Sequence, residues 1–472
     1  MSGRTVAVLG GGVAGLGAAL ALARDGHRVT LVERDTLETG DPSHSPAWDR
    51  RGIPHFLQPH AFIPRGRVEL RALFPDVYES LLAVGAYDVD VRRKCPGPAK
   101  REDEDLKYLA VRRPVLEWAL RTAVRAEEHI EAHGGLPVTG LRFDAGRVVG
   151  VRAASNEFEA DLVVDAMGRR TPTPGWLDEA GVSTERTESS DCGVVYYSRY
   201  YRQRPGFELP DGPWLLSPRG DLGYVGYASF PGDDRTFAGI LAAPSGVPEW
   251  RGFNDPAAFE SAVAQIPALR SWVDPDGVDP ITGVLPMAGL RNTLRHFDPS
   301  AAIGLVPVGD AYCHTDPTLA YGLTFALVHA HALMDALRSH DDVGDAGRAY
   351  CEATFPALRE RYDLATALDG QRRRLWLGEH VDFAHHDGGA YALFSVVAAG
   401  AAALADAKVF PVAVRRIGLL DSTAVLDGDL AMRQRIEDVF ARLAAMPRPA
   451  AGPPRDKMAE IVERARATDP VA

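Results

Sequence analysis

Hydrophobic and polar positions follow several periods along this chain, and each change of period marks an element. Val6-Ala-Val-Leu9 is a short apolar, β-branched run that breaks at Gly10-Gly11-Gly12 and gives way to an Ala/Leu run, predicting a strand, a glycine turn and a helix. Val29-Thr-Leu-Val32 then predicts a second strand, ending on the carboxylate of Glu33. Arg113-Pro-Val-Leu116 opens a proline-started amphipathic helix. Val138 to Ala153 alternates around Asp144-Ala-Gly146 and predicts a hairpin, and Ala160 to Asp165 predicts a buried strand that ends near Gly168. From Gly193 to about Leu290, tyrosine-rich alternating runs are separated by Pro, Gly and Asp turns. These predict an antiparallel sheet with one helix near Pro256 to Gln265, and half of the tyrosines at 196, 197, 200, 201, 224 and 227 facing a pocket. A further apolar strand, Ile303 to Val308, delivers Asp310 to a loop before Gly322 opens an uncharged helix. Tyr391 to Ala405 predicts a buried helix, and Met446 to Pro454 a linker to a short polar helix.

Charge and composition remove several function classes. The 472 residues carry a net charge of −12, and lysine occurs only at positions 94, 100, 107, 408 and 457, so no basic patch for nucleic acid or an anionic membrane is expected. Residues 5 to 23 are uncharged but interrupted by glycines, which fits a cofactor strand and helix better than a signal peptide. The run at 391–405 is shorter than the roughly 20 residues of a membrane span. Four scattered cysteines, at 95, 192, 313 and 351, show neither metal-ligand spacing nor a disulfide framework, as expected in a reducing cytoplasm.

The opening strand, turn and helix have the G-x-G-x-x-G spacing of a dinucleotide site. Gly10 permits the tight turn, Gly12 lets a pyrophosphate approach the helix N-terminus, and Gly15 lets helix and strand pack closely. Glu33 is placed to accept from an adenosine ribose hydroxyl, which leaves NAD and FAD both open. The late helix at Gly322 presents free N–H groups and about half a positive charge, so an anion is expected there too. No second G-x-G-x-x-G follows a strand, so one nucleotide fold with a remote ring-binding strand is expected.

Taken together, the glycine motif with Glu33-Arg34, the helix start at Arg113, the strand ending at Gly168, Gly309-Asp310, Asp316-Pro317 and Gly322 resemble the FAD-dependent monooxygenases of the para-hydroxybenzoate hydroxylase fold. Arg51-Gly-Ile-Pro54-His-Phe-Leu-Gln-Pro-His60, Leu73-Phe-Pro75 and Val163-Val-Asp165-Ala-Met-Gly168-Arg169 are most similar to the bacterial secondary-metabolism group of polyether epoxidases, with styrene monooxygenases further off. The resemblance spans roughly residues 5 to 340. It implies an α/β fold: an interrupted Rossmann-type FAD-binding domain over 1–190 and 291–345, an inserted antiparallel β-sheet substrate domain over 191–290, and a C-terminal helical region over 346–472. It implies non-covalent FAD held by Gly10, Gly12, Gly15, Glu33 and Arg34, with Arg113 near the phosphates and Gly309 and Asp310 at the ribityl hydroxyls. Pro317, Gly322 and Leu323 would line the flavin ring.

The implied activity is insertion of one oxygen atom of O2 into an apolar or aromatic small molecule, by hydroxylation or epoxidation, through a flavin C4a-(hydro)peroxide. The flavin carries this chemistry. His60 and Tyr321 are the side-chain candidates for a catalytic role, His55 and His314 being histidines of the same setting. The family's Asp-Gly pair reads Met167-Gly168 here, so electrons are expected from NAD(P)H or from a partner flavin reductase, and the usual Gly-Gln-Gly reads Leu319-Ala-Tyr321-Gly322. An FAD-dependent dehydrogenase or reductase of an isoprenoid-like substrate is the alternative, followed by a non-catalytic FAD-binding partner. A flavin-dependent halogenase would need W-x-W-x-I-P and an early lysine, neither of which occurs.

Overall fold

The computed structural model describes residues 3–98, 103–182, 185–211, 215, 217–383, 390–426, 428–447 and 449–468. Its first layer is a five-stranded parallel sheet in the spatial order Leu305–Pro307, Leu162–Asp165, Thr5–Leu9, Arg28–Val32, Ile130–His133. The strand nearest the N-terminus lies at its centre, buried on both faces, which is why it reads as a continuous apolar run. The last strand to join comes from beyond residue 300, so the sheet is interrupted by all that lies between 165 and 305.

The helix Val13–Arg24 crosses this sheet, is uncharged apart from its final Arg24, and is buried along nearly its whole length. It packs against the late helix Gly322–Ser339, where a methyl on Gly17 would stand 3.2 Å from Leu327. The hairpin predicted at 138–153 is present as Val138–Asp144 and Arg147–Ala153, with a third strand, Asn156–Glu159, added.

A separate antiparallel sheet is built around Val194–Gln203, paired with Thr236–Pro244 on one side and with Val278–Pro280 and Leu285–Met287 on the other. Strand alternation sorts its side chains. Tyr197 and Tyr201 join Tyr224, Tyr227, Phe237, Trp250 and Phe259 in a second core under the helix Pro256–Val263. That helix was expected; a further short one, Pro267–Arg270, follows it. The polar C-terminal helix, Arg455–Thr468, lies on the same face and inserts Met458 and Val462 into this core. Tyr196 and Tyr200 face the other way. None of the six tyrosines lines the cavity described below, contrary to the expectation of a half-aromatic pocket wall.

The uncharged run near 391–405 is a buried helix, interrupted by a π turn at Phe394–Ala398. Among the described residues no helix is long and apolar enough to cross a membrane.

Two glycines of the first turn separate fold from ligand. A methyl on residue 15 would stand 1.7 Å from Gly10 O, whereas one on residue 12 meets nothing closer than Ile53 Cδ1 at 3.6 Å. Gly15→Ala is therefore expected to destabilise the protein by about 3 kcal/mol or more through forced overpacking. Gly12→Ala should leave the melting temperature of the FAD-free protein unchanged and weaken FAD binding; thermal melts with and without FAD check both outcomes.

Candidate functional site

One cavity of about 420 Å³ runs from the first glycine turn to the antiparallel sheet. Gly10, Gly12, Glu33, Arg34, His60, Arg113, Gly309, Asp310, Pro317, Tyr321, Gly322 and Leu323 all line it, although they span more than three hundred residues of sequence. Gly15 does not; it lies behind, in the strand-to-helix contact.

At the glycine end the helix Val13–Arg24 begins at Gly12 with no side-chain cap, leaving its first N–H groups free. Arg113 Nη2 would lie 3.7 Å from a methyl on Gly12, so its charge stands beside that helix N-terminus. It is oriented by Glu117, one turn along its own helix, whose Oε1 accepts from Arg113 Nε at 2.8 Å. Glu117 is wholly buried and also meets Arg50 Nε at 3.3 Å and Arg121 Nη2 at 3.5 Å. Burial and the neighbouring Arg50 push Arg121 down to about 10. A helix N-terminus, room for a close approach at Gly12 and the Arg113 guanidinium beside it fit a pyrophosphate.

Glu33 is buried and already engaged: Oε2 accepts from Gly11 N and Oε1 from Asp35 N at 2.8 Å, with Arg50 Nη1 at 3.5 Å. A carboxylate offers about four lone-pair positions, so a ribose hydroxyl would be an added partner rather than its first. Arg50 and Glu117 escaped the sequence reading because an apolar motif search weighs neither. The i,i+4 spacing of Arg113 and Glu117 was the available signal.

Gly309, at φ +57, turns the chain so that Asp310 projects into the cavity; a methyl there would stand 2.8 Å from Ala14 Cβ. The turn is fixed from behind by His329, whose Nδ1 accepts from Gly309 N at 2.9 Å. His329 is 1% exposed and its Nε2 has no hydrogen-bond partner among the described residues, and burial pushes it down to about 3, which keeps the acceptor nitrogen unprotonated. Asp310 itself stands 3.9 Å from His314 Nε2, and His314 Nδ1 donates to Arg291 O at 2.8 Å.

His60 and His55 are held neutral by their surroundings. His60 Nδ1 donates to Gln58 O at 2.7 Å, and burial together with Arg113 pushes His60 down to about 3, leaving Nε2 as an acceptor. His55, whose ring lies 5.9 Å from that of His60, is lowered for the same reasons. Tyr321 lines the cavity, but its hydroxyl accepts from Arg361 Nη1 at 3.4 Å. Burial raises the Cys313 pKa, so the group stays a thiol. Phe230, Met287, Leu290 and Phe325 form an apolar wall. The loop between Asp316 and Gly322 contains Ala320 at φ 57, a left-handed conformation in which glycine would cost less.

Residues 5–113 match the family model described as FAD dependent oxidoreductase. Protein Rv3254 of Mycobacterium tuberculosis is 28% identical over 393 residues, covering 74% of this chain and 77% of that one. PqsL of Pseudomonas aeruginosa, described as a probable FAD-dependent monooxygenase, superposes with a TM-score of 0.58 at 17% identity, over 80% of this chain and 99% of its own. The flavin-dependent brominase Bmp2 superposes with a TM-score of 0.60 at 15% identity, over 93% of this chain and 100% of its own.

His329 sets a pH dependence. The unfolded chain takes up this proton near the ordinary 6.5 and the folded chain only near 3, so stability is full above about pH 6.5 and falls as pH drops through that window. The slope is about 1.4 kcal/mol per pH unit for each such proton. His329→Gln should flatten the acid limb of melting temperature against pH by about one proton.

Residues 5–113 thus match a family model of FAD dependent oxidoreductases, and over most of its length the chain shares the fold of these flavoenzymes.

Proposed function

We propose that this chain is a monooxygenase that transfers one oxygen atom of O2 to an apolar or aromatic small molecule, as a hydroxylation or an epoxidation. The observation that carries the reading is the single cavity that joins a pyrophosphate-fitting end to an apolar wall of Phe230, Met287, Leu290 and Phe325. When bound and reduced, FAD supplies the two electrons with which one oxygen atom enters the substrate and the other leaves as water.

The protein's own residues bind, orient and exclude water. Gly12 and Arg113 hold the pyrophosphate, Glu33 and Arg34 the adenosine ribose end, Gly309 and Asp310 the ribityl hydroxyls, and Pro317, Gly322 and Leu323 the ring. The helix Gly322–Ser339 has no acidic residue in its first turn, so its N-terminus favours negative charge on the pyrimidine edge of the ring. His60 serves as a neutral acceptor toward substrate, and Tyr321 as a wall. The free cysteines support a cytoplasmic location. Segments around Arg51–His60 and Asp165–Arg169 favour a place beside the polyether epoxidases of secondary metabolism. Met167 favours reduction by a separate flavin reductase over direct use of NAD(P)H.

The coverage of Bmp2 favours a halogenase as the second reading, since that likeness extends over the C-terminal helices. Against it, none of the described residues that line the cavity is a lysine. PqsL has been seen in complex with 2-aminobenzoylacetate, a small molecule.

Turnover under oxygen-18 gas tests the reading. Mass spectrometry should find the label in the product, and turnover should rise when a flavin reductase is added. An unlabelled product formed equally well without oxygen would support the dehydrogenase or reductase alternative, and a brominated product in the presence of bromide the halogenase.

The cofactor contacts are tested separately by FAD titration. Asp310→Ala leaves cofactor hydroxyls unpaired, at about 1 to 3 kcal/mol, and should weaken FAD binding by roughly one to two decades. Arg113→Ala should do so as well; unchanged dissociation constants in both variants would displace FAD from this end of the cavity.

A further inference from the structure

Behind the ring loop lies a buried polar cluster that the cofactor contacts do not use. Arg372, near the end of the long helix Val343–Trp376, donates from Nη2 to Asp369 Oδ1 at 2.7 Å and to Asp316 Oδ2 at 3.2 Å. Its Nη1 donates to Thr318 Oγ1 at 2.7 Å. Asn292, from another strand, ties the Asp369 carboxylate to the backbone of the loop: Nδ2 donates to Asp369 Oδ2 at 2.8 Å, and Oδ1 accepts from Asp316 N at 2.7 Å. Tyr196, from the antiparallel sheet, donates to Asp316 Oδ1 at 2.9 Å.

Cys192, Asp316 and Asp369 bring one ligand atom each within 4.8 Å of one another, which is a spacing a metal ion could use. The Arg372 guanidinium already bridges both carboxylates, so the cluster carries its own cation. Both carboxylates, with side chains 2% and 5% exposed, bond the one Arg372 guanidinium, while the other nearby cation, Arg219, acts on Asp316 and bonds Thr318 O; two ionised carboxylates so close in such a medium repel, which favours a proton on the one with less support.

The surroundings decide which one. Asp316 also accepts from Thr318 N at 2.7 Å and is held low by Arg372. Burial and the Asp316 charge push Asp369 up to about 7. The groups facing Asp369 are Arg372 on its own helix, Asp316 on the ring loop, Asn292 and the Cys192 thiol, with Tyr196 beyond Asp316. Arg219 approaches from the sheet, donating to Thr318 O at 3.4 Å.

We propose that Arg372 and Asp369 are positioning residues for the flavin ring, clamping the loop Asp316–Thr318 from the long helix, and that losing the Asp369 proton draws Arg372 away from that loop. The inference rests on the reading that Pro317 to Leu323 line the ring. A deprotonated Asp369 competes with Asp316 and Thr318 for the same guanidinium, so the loop loosens as pH rises through neutrality. In the protonated state Arg372 is free to hold the loop.

The test uses the full FAD-loaded chain. Visible circular dichroism and the midpoint potential of the flavin are followed between about pH 5.5 and 8.5 for the wild type, Asp369→Asn and Arg372→Lys. The wild type should show an inflection within about one unit of neutrality, superposed on the ordinary flavin slope. Asp369→Asn should lose it and keep the low-pH spectrum throughout. Arg372→Lys, whose single compact ammonium lacks the two-nitrogen fork that reaches Thr318 from Nη1 and the carboxylates from Nη2, should weaken FAD binding about tenfold. If Arg372→Lys does not fold, Asp369→Asn decides alone.

An inflection that persists in Asp369→Asn, or a wild type without one, overturns the clamp. Ala320→Gly, within the loop itself, separates this from failure of the underlying reading. A spectrum altered by Ala320→Gly and indifferent to Asp369→Asn removes the clamp only, whereas a spectrum indifferent to both removes the ring from this loop.

Discussion

Everything at the glycine end of the cavity depends on one contact without side chains, the approach of Gly15 to the carbonyl of Gly10. Only a residue lacking Cβ fits there, since a methyl would stand 1.7 Å from the oxygen. Close approach brings the helix Val13–Arg24 in at an angle that leaves its first turn open to the cavity rather than to solvent or to a neighbouring strand. It also lets the helix Gly322–Ser339 lie against Gly17. Two helix N-termini thereby open on one cavity, and both favour negative charge.

A second constraint is electrostatic. Glu117 holds three arginines in place with no exposure to water, and breaking such a buried arrangement by removing one partner is far more damaging than its net contribution to stability would suggest. Its value here is geometric: Arg113 reaches the glycine turn in a fixed direction because Glu117 receives its Nε. The loop after Gly309 is governed in the same way by a neutral histidine, His329, whose single hydrogen bond holds the turn.

Much of this was legible in the sequence, and the reason is local. The first strand, turn and helix, the Arg113 helix, the hairpin and the strand before Asp310 are each specified by residues within a few positions of one another, so periodicity and turn chemistry identify them. What escaped reading is what long-range contacts decide. Tyr196 looked like a pocket aromatic because it alternates with Tyr197, yet its hydroxyl is drawn to Asp316, 120 residues away. Asp369 and Arg372 sit on a charged helix whose i,i+3 pair is commonplace on a surface. Only the chain's return past the loop Asp316–Thr318 buries them. The helix at 455–468 was visible as a short polar segment, while its docking through Met458 and Val462 was not, because two apolar residues four apart on a polar helix specify no partner.

That docked tail has a consequence for how the chain acquires its structure. Met458 and Val462 enter the core that Tyr197, Phe237, Trp250 and Phe259 build some two hundred residues earlier, and Tyr224 donates to Pro453 O at 2.6 Å along the way. On a ribosome the sheet emerges long before the segment that covers it. The helix Pro256–Val263 covers part of its aromatic core early, but the part that Met458 and Val462 cover stays wet until synthesis has passed residue 462, and such a surface is prone to self-association while it waits. The parallel sheet is likewise left without its edge strand until Leu305–Pro307 appears. Neither layer can finish in the order in which it is made, so the two are expected to mature together, late, and to be most vulnerable to misassembly in the interval before the last helix arrives.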